Sequence, residues 1–304
     1  MTSVNLLHRA IVGTMPLVPR PIVWRFSRRY IAGTHLEDAY TTIRQLNAEG
    51  STATIDVLGE DSTGDEQVEA ALQLYFKALR GIQSASLRTG ISVKLSELGL
   101  RYDAERCESA MEALLTQADK HGAFVRIDME DSSVTTATLN IYRKARERSD
   151  RVGVAIQSCL RRSEDDIIQL LSEGETDIRL CKGIYLEPEE ISYRDADDIR
   201  SSYNRILDLL LEHATARVGI ATHDPLLVRY AIDALERFGT GTDRYEFQML
   251  LGVAGPLRRE LLAAGHAVRV YVPFGELWYN YSMRRLRENP HMVGHIIRNL
   301  FARH

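Results

Sequence analysis

The sequence predicts an α/β fold, a closed parallel (βα)8 TIM barrel, and three observations predict it. From residue 53 onward, short β-rich runs alternate with longer amphipathic stretches through eight consecutive pairs. No Gly/Pro/Ser-rich linker interrupts the series, as one would between two open sheets. The chain has 304 residues, enough for one large domain with a substantial core.

The strand-like runs are Ala53–Gly59, Gly90–Leu98, Phe124–Glu130, Val152–Leu160, Asp177–Leu186, Arg217–Thr222, Tyr245–Leu251 and Ala267–Val272. Helical patterns follow at Glu66–Ile82, Ala104–His121, Val134–Arg148, Ser163–Glu173 and Asp195–His213, with further helices after runs six to eight. Asp224 before Pro225 is an N-cap followed by a proline whose missing N–H costs the first turn nothing. Residues 1–52 read as an N-terminal helical arm, and 53–304 as the barrel catalytic domain closed by C-terminal helices.

With 44% hydrophobic and 26% charged residues, the composition excludes disordered, collagen-like and coiled-coil classes. The longest apolar runs, such as Val152–Ile156 and Leu207–Leu211, fall far short of the ~20 residues a membrane span needs. A formal charge of −4 gives no overall footprint for nucleic acid, so any anion site is local. Cys107, Cys159 and Cys181 are odd in number and widely spaced, which argues against a disulfide framework and for a reducing compartment. Arg9, Arg20, Arg25, Arg28 and Arg29 precede the first acidic residue, Glu37. That start reads as a solvated arm against the barrel, with a transit peptide or membrane-surface patch as the alternative.

Strand period two separates an inner from an outer face. In the third run Phe124, Arg126, Asp128 and Glu130 alternate with Val125, Ile127 and Met129, so the polar set faces inward and the apolar set outward. Ser92, Lys94 and Ser96 repeat the pattern, as do Gln157, Arg179, Arg269 and Tyr271. Interior charges in such a barrel cost several kcal/mol each, on the order of a buried unpaired polar group, unless paired or needed. The bland reading is an ion-pair network of Lys94, Arg126 and Arg179 with Asp128 and Glu130. The functional one is a site at the carboxyl ends of the strands. On the last helix Tyr281, Arg284 or Arg285, and Glu288 share a face, where two guanidiniums can grip a carboxylate. An ordinary i,i+4 pair of Arg284 with Glu288 is the bland reading there.

No G-x-G-x-x-G follows a strand, and no P-loop, G-x-S-x-G or H-E-x-x-H occurs. His223 with Asp224 is thin as a metal pair. Lys94 or Lys182 could form a Schiff base, which leaves a lyase or aldolase on the same barrel as a rival. Residue patterns thus lead to a barrel enzyme acting on a small anion.

The residues at these positions resemble the proline dehydrogenase family, flavoenzymes on a distorted (βα)8 barrel with extra N-terminal helices and a C-terminal helix. The matching stretches are S-V-K-L-S around Lys94, I-D-M-E-D around Asp128, the Gln157 strand and R-L-C-K-G-I-Y from Arg179 to Tyr185. They continue with A-T-H-D-P, E-F-Q-M-L around Gln248, V-Y-V-P-F-G around Tyr271, and Y-x-x-R-R-L-x-E-N from Tyr281 to Asn289. The resemblance implies FAD held without a Gly-rich fingerprint, contacted by Met129, Gln157, Lys182, Gly183, Ile184, Thr222, His223 and Gln248. It implies Asp128 and Arg179 as the catalytic polar pair, and Lys94, Arg284 and Arg285 as ligands of the proline carboxylate. Leu250, Tyr271 and Tyr281 would wall the ring, Glu288 would orient the arginines and meet the amine, and Glu60 would pair with an arginine as a gate.

The implied reaction is oxidation of L-proline to Δ1-pyrroline-5-carboxylate, with hydride passing from C5 to flavin N5 and electrons then to a quinone. A monofunctional protein is expected from a chain too short for the aldehyde dehydrogenase that some relatives carry, a cytoplasmic one from the cysteines, and no nucleic-acid partner from the charge. Peripheral contact at the inner membrane face goes with the quinone of the family analogy. Cys181 and Ile184 depart from the usual R-L-V-K-G-A-Y, which puts the pocket's fine shape in question. Tyr271 favours proline over hydroxyproline by the family pattern.

Overall fold

The computed structural model describes residues 20–59, 61–279 and 281–283. Eight strands, β1 (Thr52–Val57), β2 (Thr89–Val93), β3 (Val125–Ile127), β4 (Val152–Gln157), β5 (Thr176–Cys181), β6 (Ala216–Ala221), β7 (Tyr245–Leu250) and β8 (Val268–Phe274), form a closed barrel in sequence order. Every neighbouring pair is parallel, and β8 closes on β1 with Thr54 opposite Tyr271.

Helices α1 (Arg20–Ser27) and α2 (Leu36–Ala48) precede the barrel. After it begins come α3 (Asp65–Ser84), α4 (Ala104–Lys120), α5 (Thr135–Arg148), α6 (Ser163–Glu173), α7 (Ala196–Glu212), α8 (Pro225–Arg237) and α9 (Gly255–Ala263). Three of them start on aspartate caps. Asp103 accepts from the Glu105 and Arg106 amides, Asp195 from those of Asp197 and Asp198, and Asp224 from that of Leu226. The predicted cap at Asp224 and first-turn Pro225 are therefore present.

The outward strand residues carry the core. Ile91, Val93, Val125, Ile127, Val154, Ile178, Leu180, Ile220, Phe247 and Val272 are all fully buried between strands and helices. Each such side chain contributes about 1.5–3 kcal/mol by leaving water. The amphipathic face of α2, comprising Leu36, Ala39, Tyr40, Ile43 and Leu46, joins the same cluster, and the Tyr40 hydroxyl donates to the Ala78 carbonyl at 3.2 Å.

The interior is polar in two tiers. In the lower tier Arg126 donates to the Asp177 carbonyl at 2.7 Å and pairs with the Asp177 carboxylate. Arg217 reaches Asp177 at 3.3 Å and Glu246 at 3.5 Å, and Glu246 accepts from Arg269 at 2.5 and 3.0 Å. Glycine makes this tier possible, since a Cβ on Gly153 would collide with the Arg126 guanidinium and one on Gly219 with the Gln248 amide.

Three expectations are corrected here. Arg126 and Arg269 belong to a self-neutralised floor rather than to the site, because Asp177 and Glu246 lie beside them. Met129 does not continue the outer face: β3 ends at Ile127, the period-two alternation ends with it, and the side chain turns towards the barrel mouth. Likewise β4 and β5 stop at Gln157 and Cys181, short of the predicted Leu160 and Leu186, where the chain leaves the sheet to build the rim.

Candidate active site

At the carboxyl ends of the strands a cavity of about 640 Å³ opens, the usual place for chemistry on this architecture. Its polar centre is Asp128, just past β3. The Oδ1 atom of Asp128 accepts from Arg179 Nη1 at 2.5 Å and from Ser92 Oγ at 2.5 Å, and Oδ2 accepts from the Tyr271 hydroxyl at 2.7 Å. The register brings them together. Ser92 lies opposite Arg126 one alternation before Asp128, and Arg179 and Tyr271 share the inward phase of β5 and β8. Burial pushes the Asp128 carboxyl up, but Arg179 first, then Lys94, Ser92 and Tyr271, outweigh burial and hold it below the usual carboxylate range. The Arg179 guanidinium also lies over the Tyr271 ring, 5.3 Å from its centre.

Lys94 forms the next wall. Its ammonium donates to Asp56 Oδ1 at 2.6 Å and lies 3.7 Å from Asp128 and 3.9 Å from Glu97. Burial alone would lower the Lys94 pKa; Asp56, then Glu97 and Asp128, reverse that and raise it well above the ordinary lysine value. A charged Lys94 can hold an anion, and the raised pKa works against the neutral amine that imine formation requires.

On the opposite side Gln157 donates to the Glu130 carbonyl at 2.8 Å, and Lys182 reaches Asp224 at 3.1 Å. Arg200, from α7, shares that carboxylate at 2.8 Å. Arg200 and Lys182 with the Leu226 amide hold the Asp224 carboxyl down to about 2 against the opposing effect of burial. Gly183 turns with φ +96°, and a Cβ there would collide with Cys159 Sγ. Burial pushes the Cys181 thiol up to about 12 and the Cys159 thiol to about 11, so both are poor nucleophiles. His223 Nε2 accepts from the Leu250 amide at 2.9 Å, which fixes the ring against the β7 rim. Among the described residues no group of three or more His, Cys, Asp or Glu side chains could hold a metal ion.

The predicted residues Asp128, Met129, Gln157, Arg179, Lys182, Gly183, Ile184, Thr222, His223, Gln248, Leu250, Tyr271, Tyr281 and Lys94 all line this cavity. Glu60, Arg284, Arg285 and Glu288 lie outside the described residues.

A sequence profile described as Proline dehydrogenase matches residues 39–297. The chain belongs to the proline dehydrogenase family. It is 35% identical to "Proline dehydrogenase 2" of Bacillus subtilis over 264 residues, which cover 86% of each chain. It is 31% identical to "Proline dehydrogenase" of Deinococcus radiodurans over 98% of this chain and 99% of that one. Among solved structures, proline utilization A from Bdellovibrio bacteriovorus, inactivated by N-propargylglycine, superposes with a TM-score of 0.81 at 22% identity. That match covers 87% of this chain but 32% of the other, and it supports the barrel fold alone.

Within this proline dehydrogenase family member, sequence reasoning passed over Asp56, Glu97 and Arg200. Asp56 carries a readable signal, since Thr54 and Asp56 alternate with Ala53, Ile55 and Val57 exactly as the inward polar set does elsewhere. Glu97 and Arg200 carry none, because each reaches the site from beyond a strand or from a helix.

Proposed function

We propose that this chain oxidises L-proline to Δ1-pyrroline-5-carboxylate, the first step of proline catabolism, with FAD as its coenzyme and a quinone as final electron acceptor. Family membership supports the substrate and reaction class, and the flavin with them. The observation that carries the site assignment is the convergence of Asp128, Arg179 and Tyr271 with Lys94 on adjoining walls of the large cavity.

The chemistry of the donor set suits FAD. Two cations, Lys182 and Arg200, meet at Asp224 on one side, as a pyrophosphate needs. Met129, Ile184, Pro225 and Leu250 supply apolar surface, and Gln157 and Arg179 supply donors deeper in. Met129, Gln157, Lys182, Gly183, Ile184, Thr222, His223 and Gln248 are the residues we assign to holding it. When bound, the flavin supplies the acceptor for the hydride that proline loses.

The chain's own part is positioning. Lys94, joined by Arg284 and Arg285, binds the substrate carboxylate, which leaves the apolar ring to be walled by Leu250, Tyr271 and Tyr281. Asp128 remains ionised and fixes Arg179 and the Tyr271 hydroxyl, so neither group needs to reorganise during turnover. Glu288 orients the arginine pair. In this reading the barrel mouth excludes water while the C–H bond breaks.

The test is a visible absorbance spectrum of the purified protein before and after L-proline. A flavin spectrum that bleaches on addition is expected. A colourless protein that borohydride links covalently to substrate through lysine would overturn the proposal in favour of the imine-forming lyase. The raised Lys94 pKa already weighs against that outcome.

A further inference from the structure

Lys94 stands between two cavities. Besides the large one, it lines a smaller hollow of about 270 Å³ shared with Glu97, Asp61, Arg101, Glu130 and Asp131. Tyr281, assigned above to the ring wall, lines both spaces, but nothing in the proposed reaction uses the carboxyl group of Glu97.

That carboxyl group is unusual in three ways. It is 2% exposed, and the Gly59 backbone covers it so closely that an added Cβ would sit 2.7 Å from Cδ. Tyr75 donates to Oε2 at 2.7 Å, which fixes the orientation. The other oxygen, Oε1, has no hydrogen-bond partner among the described residues and faces the Lys94 ammonium across 3.9 Å.

We propose that Glu97 is an internal competitor for the Lys94 ammonium, and that a substrate carboxylate settles on Lys94 as Glu97 Oε1 takes up a proton from solvent through the smaller cavity. The inference rests on Lys94 as a carboxylate site and adds a positioning residue that couples binding to proton uptake. No bond breaks: an anion and a proton bind together.

The charges facing Glu97 make the choice of group specific. Tyr75 approaches from α3, Asp56 from β1, Asp61 from the loop after β1, Lys94 and Arg101 from the loop after β2, and Asp128, Glu130 and Asp131 from the end of β3. Asp56, Glu97 and Asp128 surround Lys94, so an incoming carboxylate becomes the fourth negative group around that one ammonium, and protonation of one of them relieves the competition. Asp128 is held by Arg179, Ser92 and Tyr271, and Asp56 by its direct 2.6 Å contact with Lys94. Glu130 accepts from the amide and hydroxyl of Ser96. Among the described residues Glu97 Oε1 and Asp56 Oδ2 both lack a hydrogen-bond partner, but Asp56 touches the Lys94 ammonium directly whereas Glu97 stands 3.9 Å from it, so Glu97 gives up least on protonation. Burial, partly offset by Lys94, already pushes its carboxyl up to about 7, within reach of protonation.

The test uses the purified full chain and cyclopentanecarboxylate, a five-membered-ring acid with no amine to titrate, measured by calorimetry in buffers of differing ionisation enthalpy. On wild type, binding near neutrality is expected to take up a fraction of a proton, and Kd to weaken by up to about tenfold per pH unit on the alkaline side. Glu97→Gln retains an oxygen for the Tyr75 hydroxyl; it should bind with no proton uptake and a flat pH profile. Wild type with no linked proton, or a Gln variant that keeps the wild-type slope, overturns the competition. Lys94→Met should lose the probe. If it binds like wild type, or if wild type does not bind the probe at all, the carboxylate reading of Lys94 falls and the inference with it.

Discussion

Arg179 Nε donates to the side-chain oxygen of Gln248 at 2.7 Å, and this bond ties the site to the barrel floor. The same Gln248 amide donates to Glu246 at 2.7 Å, which belongs to the lower tier with Arg269 and Arg217. Arg179 is thereby fixed from below while Asp128 holds it from above.

Gln248→Leu removes both bonds and strands a buried guanidinium nitrogen. A loss of about 1–3 kcal/mol in unfolding free energy is expected from urea melts, the cost of leaving a buried donor unsatisfied. Turnover should fall with it, since Arg179 loses its fixed orientation. A variant as stable as wild type would show that the tie is dispensable.

Arg126 tests the separation of the tiers. Arg126→Ala leaves Asp177 buried beside one partner fewer, and a destabilisation of about 3–5 kcal/mol is expected. Folded molecules at low temperature should keep their affinity for a carboxylate ligand. Weakened ligand binding at full stability would return Arg126 to the site.

Asp224 has two duties, which two substitutions divide. Asp224→Asn keeps an oxygen for the Leu226 amide but frees Lys182 and Arg200; Asp224→Ala removes the cap as well. The alanine variant should be less stable than the asparagine one by about 1 kcal/mol, the usual worth of an N-cap. Both should bind the coenzyme differently from wild type, read from the flavin retained after gel filtration.

Glu97 makes stability fall with pH. Its folded value of about 7 lies above that of an unfolded glutamate, so its contribution is complete below the unfolded value and is lost as pH rises through about 7. The full loss is on the order of 3 kcal/mol. Glu97→Gln should therefore gain on wild type from acid to alkaline pH, and chemical denaturation at several pH values measures the difference. A constant gap would refute it.

The sequence made the barrel legible because the strands' outward residues are buried hydrophobes and three of the helices that follow strands start on an aspartate cap. Asp128, Arg179 and Tyr271 were legible for a related reason: period two puts them on the inner face at the strand ends. What the residues alone did not carry is the stagger between strands. That stagger puts Arg126 beside Gly153 and Arg179 beside Ala155 and Gly219, and so decides which charges neutralise one another below and which line the cavity above. Met129 lines the cavity rather than the outer face that the period gives it, since periodicity says nothing past the end of a three-residue strand. Arg200 stayed hidden because it meets Asp224 from a helix 24 positions away.

The floor of paired arginines also bears on how such a pocket can change. Because Arg126, Arg217 and Arg269 find their counter-ions at their own level, substitutions around the mouth need not disturb the support beneath. New ligand preferences could be explored there at little risk to folding, with Gln248 as the position where the two levels constrain each other.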